Sequence, residues 1–271
     1  MSGLSLAFDT PQLAQQYEER SAERQFFHGK RLVARLAVRP GDHALDVGSG
    51  TGLLAEHVSS LVGPTGQVIG IDPLPLRVEI AQRKAKRNLS FKVGNAYALD
   101  EFPSNAFDVV YLNAVLHWLP EKEEPLRQIH RILRPGGRLG IASSSREHPN
   151  KLQVIRKQVL SREPYARYPE SQAGTPHWVT APELSALLTH VAFAVQTVEL
   201  EDNVHFQPDT QSAILFSQAS SFGNFLGHLP EALRGQATDE IKLELEKLRT
   251  PQGIRFEGKR LIAVAQKPAP H

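Results

Sequence analysis

Apolar and polar positions alternate along the first half of the chain in a pattern that predicts strands and helices in turn. Residues 43–49 and 67–72 are short apolar runs of the kind found in buried strands. Between them, 53–62 repeats apolar side chains at helical spacing, such as Leu54 and Val58. Strands that alternate with helices in this way predict a parallel sheet that is covered on both faces.

The same alternation continues beyond these first elements. Helical patterns are present at 74–87 and 124–133, and the second of them stops at an Arg-Pro-Gly-Gly sequence. A further helix is expected after Thr180, because Glu183 three residues later completes a capping box. Apolar or alternating runs predict the remaining strands at 89–96, 107–115, 138–144, 193–200 and 260–267.

Two stretches, 146–178 and 207–250, do not follow the alternation, and both contain several aromatic side chains. We expect them to be insertions that fold over one end of the sheet. The predicted organisation is one domain with five parts: a core with an N-terminal helical cap (1–145), an insertion (146–178), a core helix and strand (179–206), a helical lid insertion (207–250), and the last strand and tail (251–271).

Composition excludes several kinds of function. Lys and Arg number 31 against 29 Asp and Glu, so the net charge of +2 predicts no strong attraction to nucleic acid or to a membrane. The absence of cysteine excludes disulfides, thiol catalysis and Cys-ligated zinc. Neither a signal-peptide core nor a run of about 20 apolar residues is present, which predicts a cytoplasmic protein. The eleven histidines show no H-x-H or H-x-x-x-H pair, so we expect no metal.

The sequence LDVGSGTG, at 45–52, places three glycines directly after the first strand, at Gly48, Gly50 and Gly52. Glycines allow a tight turn and a close approach of the backbone to a ligand, and the helix that follows offers free N–H groups. In open parallel sheets, ligands bind outside the carboxyl ends of the strands. The alternative is a tight turn between strand and helix that binds no ligand.

Two carboxylates accompany the glycine loop. Asp72 ends the second strand, where an acid suits the paired hydroxyls of a ribose. Asp46 precedes the glycines, and its charge would repel a pyrophosphate. The glycine spacing also differs from the dinucleotide fingerprint G-x-G-x-x-G. A cofactor with a ribose and a cationic end, such as S-adenosylmethionine (SAM), suits the arrangement better.

The segment HALDVGSGTG resembles motif I of the class I SAM-dependent methyltransferase superfamily, in particular the small-molecule enzymes with the type 11/25 methyltransferase domain. The resemblance extends well over 8–145 and loosely over the C-terminal strands. Further segments are similar to later motifs of that family: GIDP at 70–73, GNA at 94–96, FDVVYLNAVLHWL at 107–119 and LRQIHRILRPGGRLGI at 126–141. With the pattern above, the expected fold is α/β: a Rossmann-like, doubly wound, mostly parallel seven-stranded sheet, with helical lid insertions after strand 5 and between strands 6 and 7.

The resemblance also implies a cofactor site for SAM, with S-adenosylhomocysteine as the product. In it, Asp46 orients the methionine ammonium, Asp72 binds the ribose hydroxyls, and Tyr17 closes over the methionine. Asn95 stands where the family usually has Asp, so the bond to the adenine edge loses its charge. The full set of expected cofactor contacts is Tyr17, Asp46, Gly48, Gly50, Gly52, Asp72, Pro73, Asn95, Ala96 and Asn113.

The methyl acceptor is expected to be a small, partly apolar molecule that reacts through an oxygen, nitrogen, carbon or sulfur atom. Methyl transfer mainly requires that the acceptor is positioned and water is excluded, so no distinctive catalytic motif is needed. His117 is a candidate base, and the alternative is a loop histidine that packs with Trp118. The expected acceptor contacts are His117, Trp178, Phe222 and Phe225.

Three interpretations of function remain at this point. The first is a SAM-dependent methyltransferase, acting as a monomer or homodimer without a nucleic-acid or membrane partner. The second is a non-catalytic protein that keeps the methyltransferase fold for binding or regulation. The third, a nicotinamide enzyme, is disfavoured by the glycine spacing and by Asp46.

Overall fold

A computed structural model of the 271-residue chain describes residues 10–170 and 175–269, and for residues 20 and 21 it describes the backbone only. The first nine residues of the predicted core, part of the predicted insertion at 146–178 and the last two residues of the tail lie outside the described residues.

Seven strands form one sheet in the order β3-β2-β1-β4-β5-β10-β6. All neighbouring pairs are parallel except those made by β10, which runs antiparallel to both β5 and β6. This arrangement confirms the predicted seven-stranded, mostly parallel α/β sheet. The strands are β1 (His43–Val47), β2 (Gln67–Asp72), β3 (Leu89–Val93), β4 (Phe107–Asn113), β5 (Leu133–Ser144), β6 (Ala194–Asp202), β7 (His205–Gln207), β8 (Arg249–Thr250), β9 (Gly253–Phe256) and β10 (Lys259–Gln266).

Helices cover the sheet on both faces and also build the parts outside it. Within the described residues, no helix is both long and apolar enough to cross a membrane. A π-helical turn at Tyr17–Ser21 joins the first two helices. The helices are α1 (Pro11–Gln16), α2 (Ala22–Arg35), α3 (Leu53–Val62), α4 (Pro75–Gln82), α5 (Glu123–Ile132), α6 (Lys151–Leu160), α7 (Ala181–His190), α8 (Thr210–Ser220) and α9 (Glu231–Glu246).

The central strand β4 shows why the inner strands contain continuous apolar runs. Val110 and Leu112 face the core that α5 and α7 cover, whereas Val109 and Tyr111 face the core that α2, α3 and α4 cover. Successive side chains of a strand point to opposite faces, so a segment that is buried on both sides is apolar at successive positions. The pattern of continuous apolar runs therefore follows from the two helical layers.

Helix α7 begins with the capping box that the sequence predicts. The Thr180 hydroxyl accepts a hydrogen bond from the Glu183 N–H at 3.3 Å, and the Glu183 carboxylate accepts one from the Thr180 N–H at 2.8 Å. Each partner satisfies a backbone donor that the first helical turn leaves unpaired. The helix is thereby fixed at the start of the segment that returns the chain to β6.

Residues 145–170, 175–178 and 203–258 form a smaller layer, which we call the lid. It has a hydrophobic core of its own, where Tyr165 from the first insertion meets Phe225, Ile241 and Ile254 from the second. Besides helices, the lid contains a three-stranded antiparallel sheet in the order β7-β9-β8. The sequence pattern did not reveal this sheet, because strands of two to four residues are too short to show a periodicity.

Phe225, which the sequence analysis assigned to the methyl acceptor, lies inside this lid core. Its side chain is 1 % exposed, and its carbonyl accepts a 2.7 Å hydrogen bond from Arg156 Nη1. Phe225 lines neither the cavity that contains Phe222 nor the one that contains Trp178, so its ring serves the packing of the lid core. The assignment of Phe225 as an acceptor contact is therefore replaced by a packing role.

We expect Phe225→Ala to lower the free energy of unfolding by about 3–5 kcal/mol, the usual cost of removing a buried aromatic side chain. Urea denaturation followed by circular dichroism measures the change. Phe27→Ala is the matched control, since Phe27 is 59 % exposed and should lose little. Equal stability of the two variants would contradict the packing role.

Candidate functional site

The glycine loop folds back onto the end of the neighbouring strand β2. The N–H groups of Gly48 and Ser49 donate to the Ile71 carbonyl at 2.7 and 2.9 Å. Gly48 has a φ of +77°, and a Cβ at this position would lie 2.2 Å from a methyl carbon of Val115. Both the backbone conformation and the space therefore require glycine there.

Asp72 holds the loop from the other side. It is 4 % exposed, and its two carboxylate oxygens accept hydrogen bonds from the N–H groups of Gly50 at 2.8 Å and Leu74 at 3.0 Å. A carboxylate accepts through about four lone-pair positions, so holding the backbone does not by itself prevent it from binding hydroxyl groups. The acid thus lies at the carboxyl ends of β1 and β2 together, where the ribose is expected.

A cavity opens at these strand ends, with about 900 Å³ of empty space including its mouth. We call it the cofactor cavity. Eight of the ten expected cofactor contacts line it: Tyr17, Gly48, Gly50, Asp72, Pro73, Asn95, Ala96 and Asn113.

Asp46 lines a smaller cavity of about 330 Å³ on the far side of Tyr17. The side chain is 2 % exposed, and its Oδ2 atom is buried without a hydrogen-bond partner. The pKa of Asp46 is raised to about 8, mainly by burial and in part by the charge of Asp72. The nearby Tyr111 hydroxyl acts in the opposite direction and lowers the pKa, although it makes no hydrogen bond of standard geometry with the carboxylate. A buried carboxyl that lacks a partner is a site where a cation can bind.

Tyr17 lies between the two cavities and lines both. Its hydroxyl is 3.2 Å from the position that a Cβ on Gly50 would occupy, so the ring rests directly on the loop. The guanidinium of Arg77 stacks on the Tyr17 ring, 3.7 Å from its centroid. Arg77 also donates to the Ala219 carbonyl at 2.6 Å, which joins α4 to the lid helix α8.

Asn95 and Asn113 are both engaged by the protein itself. Asn95 Oδ1 accepts from the Tyr97 N–H at 2.8 Å, which leaves its amide as a donor toward the cavity that it lines. Asn113 donates to the Gln25 carbonyl at 2.9 Å and accepts from Arg260 Nη2 at 2.8 Å. Asn113 therefore joins the N-terminal helix α2 to β4 and β10, beside the cofactor cavity.

Known proteins were compared with the chain in sequence and in structure. A family model described as a methyltransferase domain matches residues 45–141. The chain is 38% identical over 125 residues to the ubiquinone/menaquinone biosynthesis C-methyltransferase UbiE of Pseudoalteromonas translucida, which covers 44% of this chain and 49% of that protein. It is 33% identical over 121 residues to the demethylmenaquinone methyltransferase of Lactobacillus johnsonii, covering 43% and 49%. The matches thus span about half the length of these curated relatives.

Among solved structures, a SAM-dependent methyltransferase from Aquifex aeolicus superposes with a TM-score of 0.52 and 20% identity, over 70% of this chain and 91% of that one. This likeness concerns the fold, and the motif matches concern the glycine loop and the strands around it. Residues 45–141 are thus similar to a methyltransferase domain, and the fold around them is that of a solved SAM-dependent methyltransferase.

The cofactor of the superfamily that motif I resembles is SAM, and the described residues fit this cofactor. The unpartnered Oδ2 of Asp46 suits the methionine ammonium, and the cavity beside Asp72 suits a ribose. Tyr17 covers the loop between these two places, and its closing over the methionine stays a prediction.

Gly52 differs from the expectation for this methyltransferase site. It lines neither the cofactor cavity nor the smaller cavity beside Asp46. A Cβ on Gly52 would lie 2.7 Å from a ring carbon of Phe91 and 3.1 Å from Ala81, and its φ is +90°. Glycine at position 52 lets the first turn of α3 pack closely against β3 and α4. We therefore correct the predicted role of Gly52 from a ligand contact to a packing position.

His117 is placed where a methyl acceptor could meet the cofactor. It lines the cofactor cavity, and its Nδ1 lies 3.0 Å from the Ser143 hydroxyl. The pKa of His117 is lowered to about 3, mainly by burial and to a smaller extent by the charges of Arg260 and Lys122. The ring is neutral near pH 7 and is a weak base, so we assign it a positioning role and no proton transfer.

A third cavity, of about 790 Å³ including its mouth, adjoins the cofactor cavity, and we call it the acceptor cavity. Trp178 lines this cavity, whereas Phe222 lines the cofactor cavity and packs edge-on to Trp118 at 5.1 Å. The two cavities share one wall, formed by Gln25, Ala114, His117, Trp118 and Ser220.

Several site residues gave no recognisable signal in the sequence. Gln25 lines all three cavities, and Arg77 clamps Tyr17, yet each lies in an ordinary helical segment. Arg24 and Arg260 come from opposite ends of the chain and meet at the acceptor cavity. One sequence signal could have indicated two of them: Arg24 and Gln25 follow Tyr17 by about two helical turns, which places all three on one face of a helix.

We expect Asp72→Ala to weaken SAM binding by about 1–3 kcal/mol, because hydroxyls of the ligand and the Gly50 N–H lose a charged acceptor. Isothermal titration calorimetry measures the dissociation constant. Asp100→Ala, at an exposed turn, is the control and should bind normally. An unchanged dissociation constant in a folded Asp72→Ala protein would count against the ribose site.

We also expect SAM binding to release protons and to become tighter, by up to about tenfold, between pH 6 and pH 7. Below its raised pKa of about 8, Asp46 is mostly protonated, and a bound ammonium favours its ionised form. The amino group of SAM stays charged in this range. Calorimetry in buffers of different ionisation enthalpy counts the released protons. Asp46→Asn should abolish the release, and a wild-type protein that releases none would refute the assignment.

Proposed function

We propose that this protein is a SAM-dependent methyltransferase that moves the methyl group of SAM to a nucleophilic atom of a small molecule and leaves S-adenosylhomocysteine. The observation that carries the proposal is the wall shared by the cofactor and acceptor cavities. A protein that merely kept the cofactor would need no second cavity against the first. An enzyme needs a place where acceptor and methyl group meet.

The bound cofactor supplies an electrophilic methyl group on a sulfonium, and the protein supplies position. Asp46, Asp72 and the glycine loop would hold the cofactor, and Tyr17, on which Arg77 stacks, would cover it. His117 and Trp118 border the opening toward the acceptor. Holding two reactants in line replaces a bimolecular encounter by an intramolecular one and supplies a large part of the rate.

The lid gives the acceptor cavity its outer wall. Asn150 and Gln153 come from the first insertion, and Phe216, Ser217 and Ser221 come from the second. A wall built over the sheet edge excludes water from the reacting atoms and determines which molecules enter. The lid therefore determines the choice of acceptor in this proposal.

The two curated relatives are named for quinone-type methyl acceptors, but we do not carry that acceptor over. The family match covers residues 45–141, which form the cofactor side of the molecule. The lid residues that form the acceptor cavity lie after this segment. A cytoplasmic location and a monomer or homodimer remain expectations from the sequence.

The test is whether the purified protein binds SAM and transfers its methyl group. Calorimetry should give saturable binding of SAM and S-adenosylhomocysteine and none of NAD. With methyl-labelled SAM, a panel of small molecules should include acceptors that become labelled at the rate at which S-adenosylhomocysteine appears. Saturable cofactor binding with no labelled acceptor would favour the non-catalytic alternative, and binding of NAD in place of SAM would overturn the proposal.

Gly50→Val should abolish SAM binding in the same assay. A Cβ at this position would lie 3.2 Å from the Tyr17 ring, and the φ of +55° is unfavourable for a branched residue. Gly235→Val is the matched control, because Gly235 is exposed and a Cβ there meets nothing within 4 Å. Normal binding by a folded Gly50→Val protein would show that the loop does not hold the cofactor.

A further inference from the structure

The acceptor cavity carries a marked excess of positive charge. Three cationic side chains line it, from Arg24, Lys259 and Arg260, and among the described residues no Asp or Glu does. Lys259 is already paired with Asp202, at 2.8 Å. The two arginines are therefore the groups whose charge is not balanced inside the cavity.

Arg24 contacts only neutral groups in the described part of the chain. Its Nη2 lies 3.1 Å from Nδ1 of His205, and its guanidinium carbon lies 4.5 Å from the ring centroid of Phe216. No carboxylate of a described residue lies within 4.0 Å of it. Burial lowers the pKa of Arg24 to about 9, and the charge of Arg260 adds to the effect. The two guanidinium groups are thus close enough to repel each other.

Arg260 is also unmatched by an acid. It donates to Asn113 Oδ1 at 2.8 Å, and its Nε is buried without a hydrogen-bond partner. Glu201 is near enough to act on its charge, but that carboxylate pairs with Arg31 at 3.3 Å and with Arg35. A buried guanidinium N–H that lacks an acceptor is costly, which favours a ligand that supplies one.

The rest of the lining can hold a small polar molecule with an unsaturated ring. Trp118 and Trp178 offer aromatic surfaces, and Asn150, Gln153 and Asn203 offer amides. Oδ1 of Asn203 is buried without a partner, so the cavity also presents an unused acceptor. This lining is more polar than the partly apolar site that the sequence predicted.

The geometry points to a methyl acceptor that carries an anionic oxygen group, a carboxylate or a phosphate, which binds between Arg24 and Arg260. This inference rests on the proposed methyltransferase function. Guanidinium groups bind such anions through charge-assisted, often bidentate hydrogen bonds. With its anion held there, the acceptor can present its nucleophilic atom at the wall shared with the cofactor cavity.

The test measures ligand affinity with the cofactor side filled. Protein saturated with S-adenosylhomocysteine is titrated calorimetrically with benzoate and phenyl phosphate, and with their neutral counterparts benzamide and benzyl alcohol. We expect the anions to bind at least about tenfold more tightly than the neutral molecules, the fold-change of one charge-assisted contact. Benzoate against phenyl phosphate then distinguishes a carboxylate site from a phosphate site.

Arg24→Gln should lower the affinity for the anions at least about tenfold, and Arg24→Lys should restore part of it. Lys30→Gln is the matched control: it removes one positive charge from an exposed position of α2, outside the cavity lining, and should change the anion affinity little. Binding of S-adenosylhomocysteine should stay unchanged in all three variants, because Arg24 does not line the cofactor cavity.

Equal binding of anionic and neutral probes, no binding of any anionic probe, or equal losses in Arg24→Gln and Lys30→Gln would each overturn the inference. These results leave cofactor binding intact, so they differ from a failure of the proposed function. That failure would instead be a protein that binds neither SAM nor S-adenosylhomocysteine.

Discussion

The buried carboxylate of Asp72 connects the parts of the site to one another. It accepts from the N–H groups of Gly50 and Leu74, and so ties the loop after β1 to the turn after β2. Tyr17 can rest on Gly50 only because the loop is held in this conformation, and Arg77, three residues beyond Leu74, stacks on Tyr17 and bonds to the lid. One acid at a strand end therefore sets the position of the loop, the N-terminal segment and the lid. The hydrogen bonds from the backbone to Asp72 stabilise the loop and also keep the Asp72 carboxylate beside the cofactor cavity.

The cofactor side could be predicted from the sequence because its signals are local and chemically specific. Three glycines within five positions and an acid at each of two strand ends are unusual enough to identify, and the parallel sheet brings them to one edge. Gly52 shows the limit of that reasoning. The motif groups it with Gly48, but its missing side chain makes room for Phe91, and only the packing of β3 reveals this.

The acceptor side could not be predicted because its residues are distant in sequence and ordinary in type. Arg24 lies on α2 and Arg260 on β10, and neither belongs to a motif. Their proximity depends on β10 lying between β5 and β6 and on Asn113 bonding to both α2 and β10. Phe225 was misassigned for a related reason: an aromatic residue in an insertion can face either a ligand or the core of that insertion, and periodicity does not distinguish the two.

The charges on the two sides of the shared wall are opposite, and this suits the reaction. Asp46 and Asp72 border the place of a cationic cofactor, whereas Arg24 and Arg260 border the acceptor cavity without a matching acid among the described residues. A buried charge is costly until a counter-charge arrives, so each half of the site favours the ligand of the opposite sign. The same separation disfavours binding of either ligand in the other ligand's cavity, because an anionic acceptor is repelled from Asp72 and a cationic cofactor from the arginines. The wall of Gln25, Ala114, His117, Trp118 and Ser220 carries no formal charge near neutral pH, since burial keeps His117 unprotonated. The reacting atoms would therefore meet in the least charged part of the site, where exclusion of water matters most.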